Sequence, residues 1–456
     1  QIWGGLEIVP SNRKLWTAGG VVWPVAIASA LTLLVATSYR SLACPFCSAV
    51  SQTLSEEMAA MDTAAIARIV TGSETDADAE FEVVSVLRGD SLIHPEQTVR
   101  VNYFGKAKPE QQFLLMGVDP PDLLWSSPLP VSATAIEYIQ SLTKLPKDRL
   151  ERLAFFLPYL EHSESMLARD AYDEFAKTPY TDLKSLKSQL DHAKLLEWIQ
   201  DTSLPPDRRR MYLVMLGICG EPNDAELLER LLRSDDENQR GGLDAMIACY
   251  LTLRGAEGLP LVDELFLNNK KSQYADTYAA IMALRFHGTD GGVIEKERVL
   301  QSMRLILDRP ELADLVIPDL ARWEDWTQID KLSELFKSAD EKSSWVRVPV
   351  INYLRACPLA AAEARLNELK EIDPAAFKRA TSFFPVPKAS SGTTDSTYVP
   401  AAGPAVKTVE PALPPNRPLA ASVLSLASVT VWLAMWLTIS GPSTPAWMAP
   451  AVRRWF

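Results

Sequence analysis

Cysteine is scarce in this chain: five residues among 456, of which only Cys44 and Cys47 lie close in sequence. A disulfide framework of the kind that staples small secreted domains is excluded. Cys219, Cys249 and Cys357 sit singly in apolar helical patterns and read as small buried hydrophobes. Histidine is scarcer still. His94, His162, His192 and His287 are scattered, and no spacing supplies the four ligands of a structural zinc site. No metal and no other cofactor is expected. Basic residues number 46 against 58 acidic ones, for a formal net charge of −12, which excludes a nucleic-acid partner because that needs a basic footprint. H-E-x-x-H, G-x-S-x-G, a phosphate-cradling glycine loop and the kinase set are all missing. The composition points away from an enzyme, with Cys44 and Cys47 the one place left for chemistry.

What the chain does have is two long apolar segments, one toward each end. Residues 21–37 follow Arg13 and Lys14 and precede Arg40; residues 419–439 follow Arg417 and precede Arg453 and Arg454. Lys and Arg favour the cytoplasmic side of a membrane, so both ends point inward and the bulk of the chain points outward. The second segment, 419–440, has the length and apolarity of a membrane-spanning helix, with Trp432 and Trp436 inside it and Trp447 and Trp455 just beyond. A short cytoplasmic tail, 441–456, would follow. The first segment, 1–43, reads as a signal peptide or an uncleaved signal-anchor. Small residues at Ser41 and Ala43 suit a cut that leaves Cys44 first. The expected location is a bacterial inner membrane with the bulk on the periplasmic side.

Between these segments the periodicity changes twice. Residues 48–62 carry Val50, Leu54, Met58 and Met61 at helical spacing. Short runs at 65–70, 81–87, 98–103 and 113–118 are rich in β-branched and aromatic residues, and turn clusters separate them. They predict a small OB-like barrel or β-sandwich over 44–135, with Phe81, Val83, Ser85 and Leu87 facing inward. From 136 to 383 helical stretches come in pairs. The clearest is 207–218 with 223–233, where Met211, Val214, Met215 and Ile218 are answered by Leu227, Leu228, Leu231 and Leu232. An earlier pair, 148–160 with 163–176, has the same layout. Paired helices that cannot bury their faces alone stack into a solenoid. Residues 384–418 are rich in Pro, Ala, Ser and Thr and read as an extended stalk. At about 3 Å per residue in polyproline II, it would reach roughly 100 Å.

The run RRRMYLVMLGICGEPNDAELLERLL resembles HEAT-type repeats, which implies an irregular α-α superhelix and a surface for protein binding. The layout as a whole is similar to a group of uncharacterised exported bacterial proteins that open on ACPFC and continue through LAFFLPYLEH, DAYDEFA, TYAAIMALRF and LADLVIPDLARWEDW. That resemblance implies export and architecture and supplies no catalytic residue. Two readings of Cys44-Pro45-Phe46-Cys47 stand beside a local disulfide pin. In thioredoxin-like enzymes a C-x-x-C at a helix N-terminus lowers a thiol pKa and makes a nucleophile. A leading cysteine before a short helix and a small barrel also loosely resembles the netrin-like module of metalloproteinase inhibitors, although the spacing there is C-x-C. Trp323 and Trp326 are candidates for an interaction surface. The expected function is a membrane-anchored adaptor that binds a protein partner through its helical repeats. The alternative is a thiol-disulfide oxidoreductase.

Overall fold

The computed structural model describes residues 44–47 and 51–383, apart from 107, 109 and 342. The expected signal segment, stalk, membrane helix and tail lie outside the described residues. Within them, no helix is long and apolar enough to cross a membrane. The described residues belong to one compact unit, mainly helical, with a small barrel-like antiparallel sheet near its start.

Helix α1 (Leu54–Ala60) begins later than the apolar spacing predicts, because its cap sits at Thr53. The Thr53 hydroxyl accepts from the Glu56 N–H, and the Glu56 carboxylate accepts from the Thr53 N–H, a reciprocal capping box. Four strands match the expected runs: β1 (Thr63–Ile69), β2 (Asp78–Arg88), β3 (Thr98–Asn102) and β4 (Gln112–Val118). Two more, β5 (Leu124–Trp125) and β6 (Leu129–Val131), are too short to show alternation. The order is β3-β2-β1-β4-β5, with β6 also on β4, and the pairs are antiparallel.

Alternation gives the sheet two buried faces. Ala67, Ala79, Phe81, Val101, Phe113 and Leu115 form the interior, where Phe81, Phe113 and Tyr103 meet edge-on. Ala64, Ile66, Leu114 and Met116 point the other way, into a core shared with the helices. Sheet and helices are therefore joined by one continuous apolar core. The inward row expected on β2 holds at Phe81 and Val83 and fails at Ser85 and Leu87, which are half-buried. Two register shifts against β1 interrupt the pleat there, and an extra residue in a strand turns its neighbours off the buried face.

Sixteen helices follow among the described residues. They are α2 (Ala133–Leu142), α3 (Arg149–Phe156), α4 (Ser165–Ala176), α5 (Tyr180–Ser185), α6 (His192–Gln200), α7 (Pro206–Cys219), α8 (Asp224–Leu232) and α9 (Leu243–Arg254). After them come α10 (Leu259–Val262), α11 (Tyr274–Phe286), α12 (Lys296–Leu305), α13 (Ile317–Arg322), α14 (Ile329–Ser338), α15 (Arg347–Ala356), α16 (Ala360–Ile372) and α17 (Pro374–Phe383). The odd-numbered helices lie side by side from α3 to α11 and again from α13 to α17, and the Arg285–Asp319 ion pair links α11 to α13. α5 packs on α3 and α7, α9 on α7 and α11, and α15 on α13 and α17. Of the even-numbered helices, α14 packs on α16.

Ion pairs tie alternate helices at a recurring separation. Arg149–Asp182, Arg210–Asp244, Arg240–Asp276, Arg285–Asp319 and Arg365–Asp330 join residues 33, 34, 36, 34 and 35 positions apart. The partly exposed pairs contribute on the order of 0–1 kcal/mol each, so their effect is on register more than on stability; in Arg285–Asp319 the carboxylate is buried. Helix α7 lies within this row. The expected stripe of Met211, Val214, Met215 and Ile218 is buried, and so are Tyr212, Leu213 and Leu216 between them, as befits a helix with neighbours on several sides.

Candidate functional site: the Cys44–Cys47 turn

Cys44 and Cys47 are joined by a disulfide. The Cys47 N–H donates to the Cys44 carbonyl at 3.2 Å, closing a tight turn. The Cys44 N–H donates at 3.1 Å to the carbonyl of Ala176, the last residue of α4, where a helix leaves carbonyls without intrahelical partners. Cys44 and Phe46 are buried, while Pro45 and Cys47 are half-buried. The disulfide thus shapes a loop whose tip is an inward-facing phenyl ring.

That ring enters a slot formed by four odd-numbered helices. Tyr180 of α5, Leu213, Val214 and Gly217 of α7, Ala245, Ala248 and Cys249 of α9, and Phe286 of α11 line it. Gly217, Ala245 and Ala248 are small, which leaves the space the ring takes. Phe46 meets Phe286 edge-on at 5.3 Å, and Tyr180 meets the same ring at 5.1 Å. About 10 Å³ remains free beside the ring, at the lower limit for one water.

The residues that follow the turn are fastened to α4 by carboxylates. Ser51 donates its hydroxyl to Asp173 at 3.0 Å. Asp170 accepts from the Leu54 N–H and from the Tyr138 hydroxyl, both at 2.6 Å, and Lys177 pairs with Glu56. Burial pushes the Asp170 carboxyl up to about 6; the bonds from Tyr138 and Leu54 oppose the shift, and Glu174 and Asp173 add to it. The folded state therefore holds this proton more tightly than the unfolded chain, whose aspartates titrate near 3.9. The stability this group contributes is present at low pH and is lost as pH rises through about 6. Asp170→Asn removes the titration. The wild-type minus variant difference in unfolding free energy is expected to fall by roughly 2–3 kcal/mol from about pH 4 to about pH 8. A difference that stays flat in urea titrations over that range contradicts the burial of Asp170.

This geometry bears on each reading of the motif. As a pin, the turn packs on α4, α5, α7, α9 and α11 and not on the sheet alone. A thioredoxin-like nucleophile is an accessible thiol, whereas Cys44 here is disulfide-bonded and 4% exposed. Netrin-like chelation needs the amine and carbonyl of Cys44 presented outward, whereas both are hydrogen-bonded and the residue is buried.

Trp323 and Trp326 are half-buried against the main core. Trp326 meets Tyr353 edge-on at 5.2 Å, and Trp323 lies over Gly288, where an added Cβ would approach its ring to 2.3 Å. Aromatic surface lies instead at Tyr274, Tyr278 and Trp345, which are 58%, 38% and 50% exposed. Tyr274 and Tyr278 are stacked, with ring centroids 6.1 Å apart. Tyr274 opens α11 and Trp345 lies in the turn before α15. An i, i+4 tyrosine pair reads in sequence like a core stripe, so no signal there could have separated it.

The remaining polar candidates carry structure. His287 is buried, its Nε2 3.0 Å from the Ala248 carbonyl, and burial lowers its pKa to about 4. His192 pairs with Asp224 at 2.8 Å. Among the described residues no group of His, Cys, Asp and Glu could hold a metal ion. Cys249 is buried, Cys219 and Cys357 are half-buried, and burial raises the Cys249 and Cys219 thiols. Asp235, Asp236 and Glu237 form an exposed loop. Compared with known proteins, the chain matches no family model, no curated protein and no solved structure.

Proposed function

We propose that the protein is a membrane-tethered, exported adaptor whose helices form a HEAT-like α-α superhelix that binds a protein partner. The observation that carries this reading is the row of odd-numbered helices tied at intervals of 33–36 residues, with a like pair 35 residues apart between α14 and α16, since repeated units stacked in line offer extended binding surfaces. Exposed Tyr274, Tyr278 and Trp345 on that row are the residue types enriched at interfaces. The strand order, with β1 between β2 and β4, supports an OB-like barrel open at its β3 and β5 edges. A closed Cys44–Cys47 disulfide supports residence in an oxidising compartment. The thiol-disulfide oxidoreductase reading draws on the same disulfide, but burial of Cys44 leaves it little support.

A photo-crosslinker at Trp345 in the full-length chain, in its native membrane, tests the adaptor reading. One discrete adduct that disappears on Tyr274→Ala is expected. A featureless background, unchanged by that substitution, contradicts it. Topology is tested separately. Protease added to the periplasmic face of intact inner membranes should release the 44–383 body, and protection of that body until the membrane is opened would reverse the orientation.

A further inference from the structure

The Cys44–Cys47 loop and its slot share a property that a simple pin would not need. A pin requires buried contact; this loop inserts a single aromatic side chain between four helices of the proposed binding row, far away in sequence. The slot walls are mostly apolar, with Gly217, Ala245 and Ala248 small, and Phe46 lies among them with about 10 Å³ left free. Cys47 is half-buried and Cys44 is 4% exposed, so the Cys47 end of the bond is the more accessible one. Cys249, a thiol 2% exposed, lines the same slot.

We propose that the Cys44–Cys47 loop is a redox-released plug. In the oxidised protein Phe46 fills a slot between α5, α7, α9 and α11; on reduction the loop leaves, and the slot takes an aromatic residue carried on a loop of a protein partner. The partner's chemistry is read from the present occupant, a phenyl ring on a tight, disulfide-closed turn. Release balances as an exchange with a dithiol reductant. Its thiolate attacks the half-exposed Cys47 sulfur, the Cys44–Cys47 bond breaks, and Cys44 leaves as a thiolate that takes a proton. The reductant's second thiol then displaces Cys47 from the mixed disulfide. Two electrons and two protons pass to the protein, and the reductant departs as its own disulfide. Opening the ring restores freedom to the loop, and the Ala176 bond together with the Phe46 contact must then hold it unaided.

The proposal deepens the adaptor reading, yet the release step is testable without any partner. The full-length protein is pulsed with iodoacetamide before and after dithiol treatment, and alkylation is mapped by mass spectrometry at each cysteine. Cys249 is expected to label at least about tenfold faster after reduction, and also in the Cys44→Ser, Cys47→Ser double variant, while Cys219 and Cys357 keep their rates. Phe46→Ala, with its disulfide intact, should expose Cys249 without reductant. Adding the peptide Ala-Cys-Pro-Phe-Cys, closed by its disulfide, to the double variant should restore protection; the same peptide with Ala for Phe should not. Cys249 staying unreactive while Cys44 and Cys47 are alkylated overturns the plug. So does a parallel rise at all three other cysteines, which marks unfolding. Release without protection by the peptide overturns the partner half alone. A Cys249 response with no adduct at Trp345 leaves the plug standing and removes the adaptor reading.

Discussion

Met215→Asp is expected to unfold the helical body. Met215 is 1% exposed on α7, among Tyr212, Leu213 and Leu216, which are fully buried. A carboxylate there would have no cation to pair with and no route to water. Burying an unpaired charge costs several kcal/mol even when the group neutralises itself by taking a proton, and the methionine's own burial, about 2 kcal/mol, is lost as well. Together these approach the whole stability of a typical domain, about 5–15 kcal/mol. Because sheet and helices share a core, loss of the far-ultraviolet helix signal should be accompanied by loss of the near-ultraviolet signal from the barrel aromatics. A cooperative melt within a few degrees of wild type would mean that α7 is packed otherwise than described.

The second large effect is expected at Arg209, which is 2% exposed and faces carbonyls rather than a carboxylate. Its guanidinium donates to Ile199 at 3.1 and 2.7 Å, to Asn238 at 2.6 Å and to Gln239 at 2.9 Å. It fastens the end of α6 and the loop before α9 onto α7. Arg209→Met keeps most of the volume but leaves these carbonyls without donors. Hydrogen bonds to a charged group contribute about 1.5–3 kcal/mol each, and part of that is returned because no charge is buried any longer. A net loss of roughly 3 kcal/mol is expected in urea unfolding. Arg209→Lys should recover little of it, since one ammonium cannot span three carbonyls as a fork does. A loss below about 1 kcal/mol would show the loop holding without Arg209.

Much of the fold was legible from periodicity. β-Branched and aromatic runs located β1 to β4, and the 3.6-residue spacing located α7 and α8 to within two residues, because the apolar pattern is the imprint of burial. β5 and β6 escaped because two or three residues cannot display a period. The start of α1 was set by Thr53 and Glu56, a cap that outweighed the apolar spacing before it. The Arg–Asp pairs 33–36 residues apart repeat, but their carriers sit among many other charges, and only contact reveals which partners are chosen. For the site, the spacing of Cys44 and Cys47 pointed to the pair that the disulfide joins, but not to its neighbours. Nothing local distinguishes a loop that packs on a barrel end from one whose phenyl ring enters helices 130 to 240 residues away. Trp323 and Trp326 drew notice as large aromatics, yet both pack inward, and the exposed Tyr274 and Tyr278 were hidden by their helical spacing.

The central claim, that Cys44 and Cys47 shape a docked loop and do not catalyse, is tested most directly by counting electrons. The full-length protein is incubated with excess dithiol and a disulfide-bonded protein substrate, and substrate reduction above the uncatalysed background is followed with time. The account predicts that each chain takes up two electrons once, opening its own disulfide, and that the substrate is then reduced no faster than in the absence of protein. Sustained turnover many times the chain concentration, abolished by Cys44→Ser with Cys47→Ser, would contradict it and make this loop an active site.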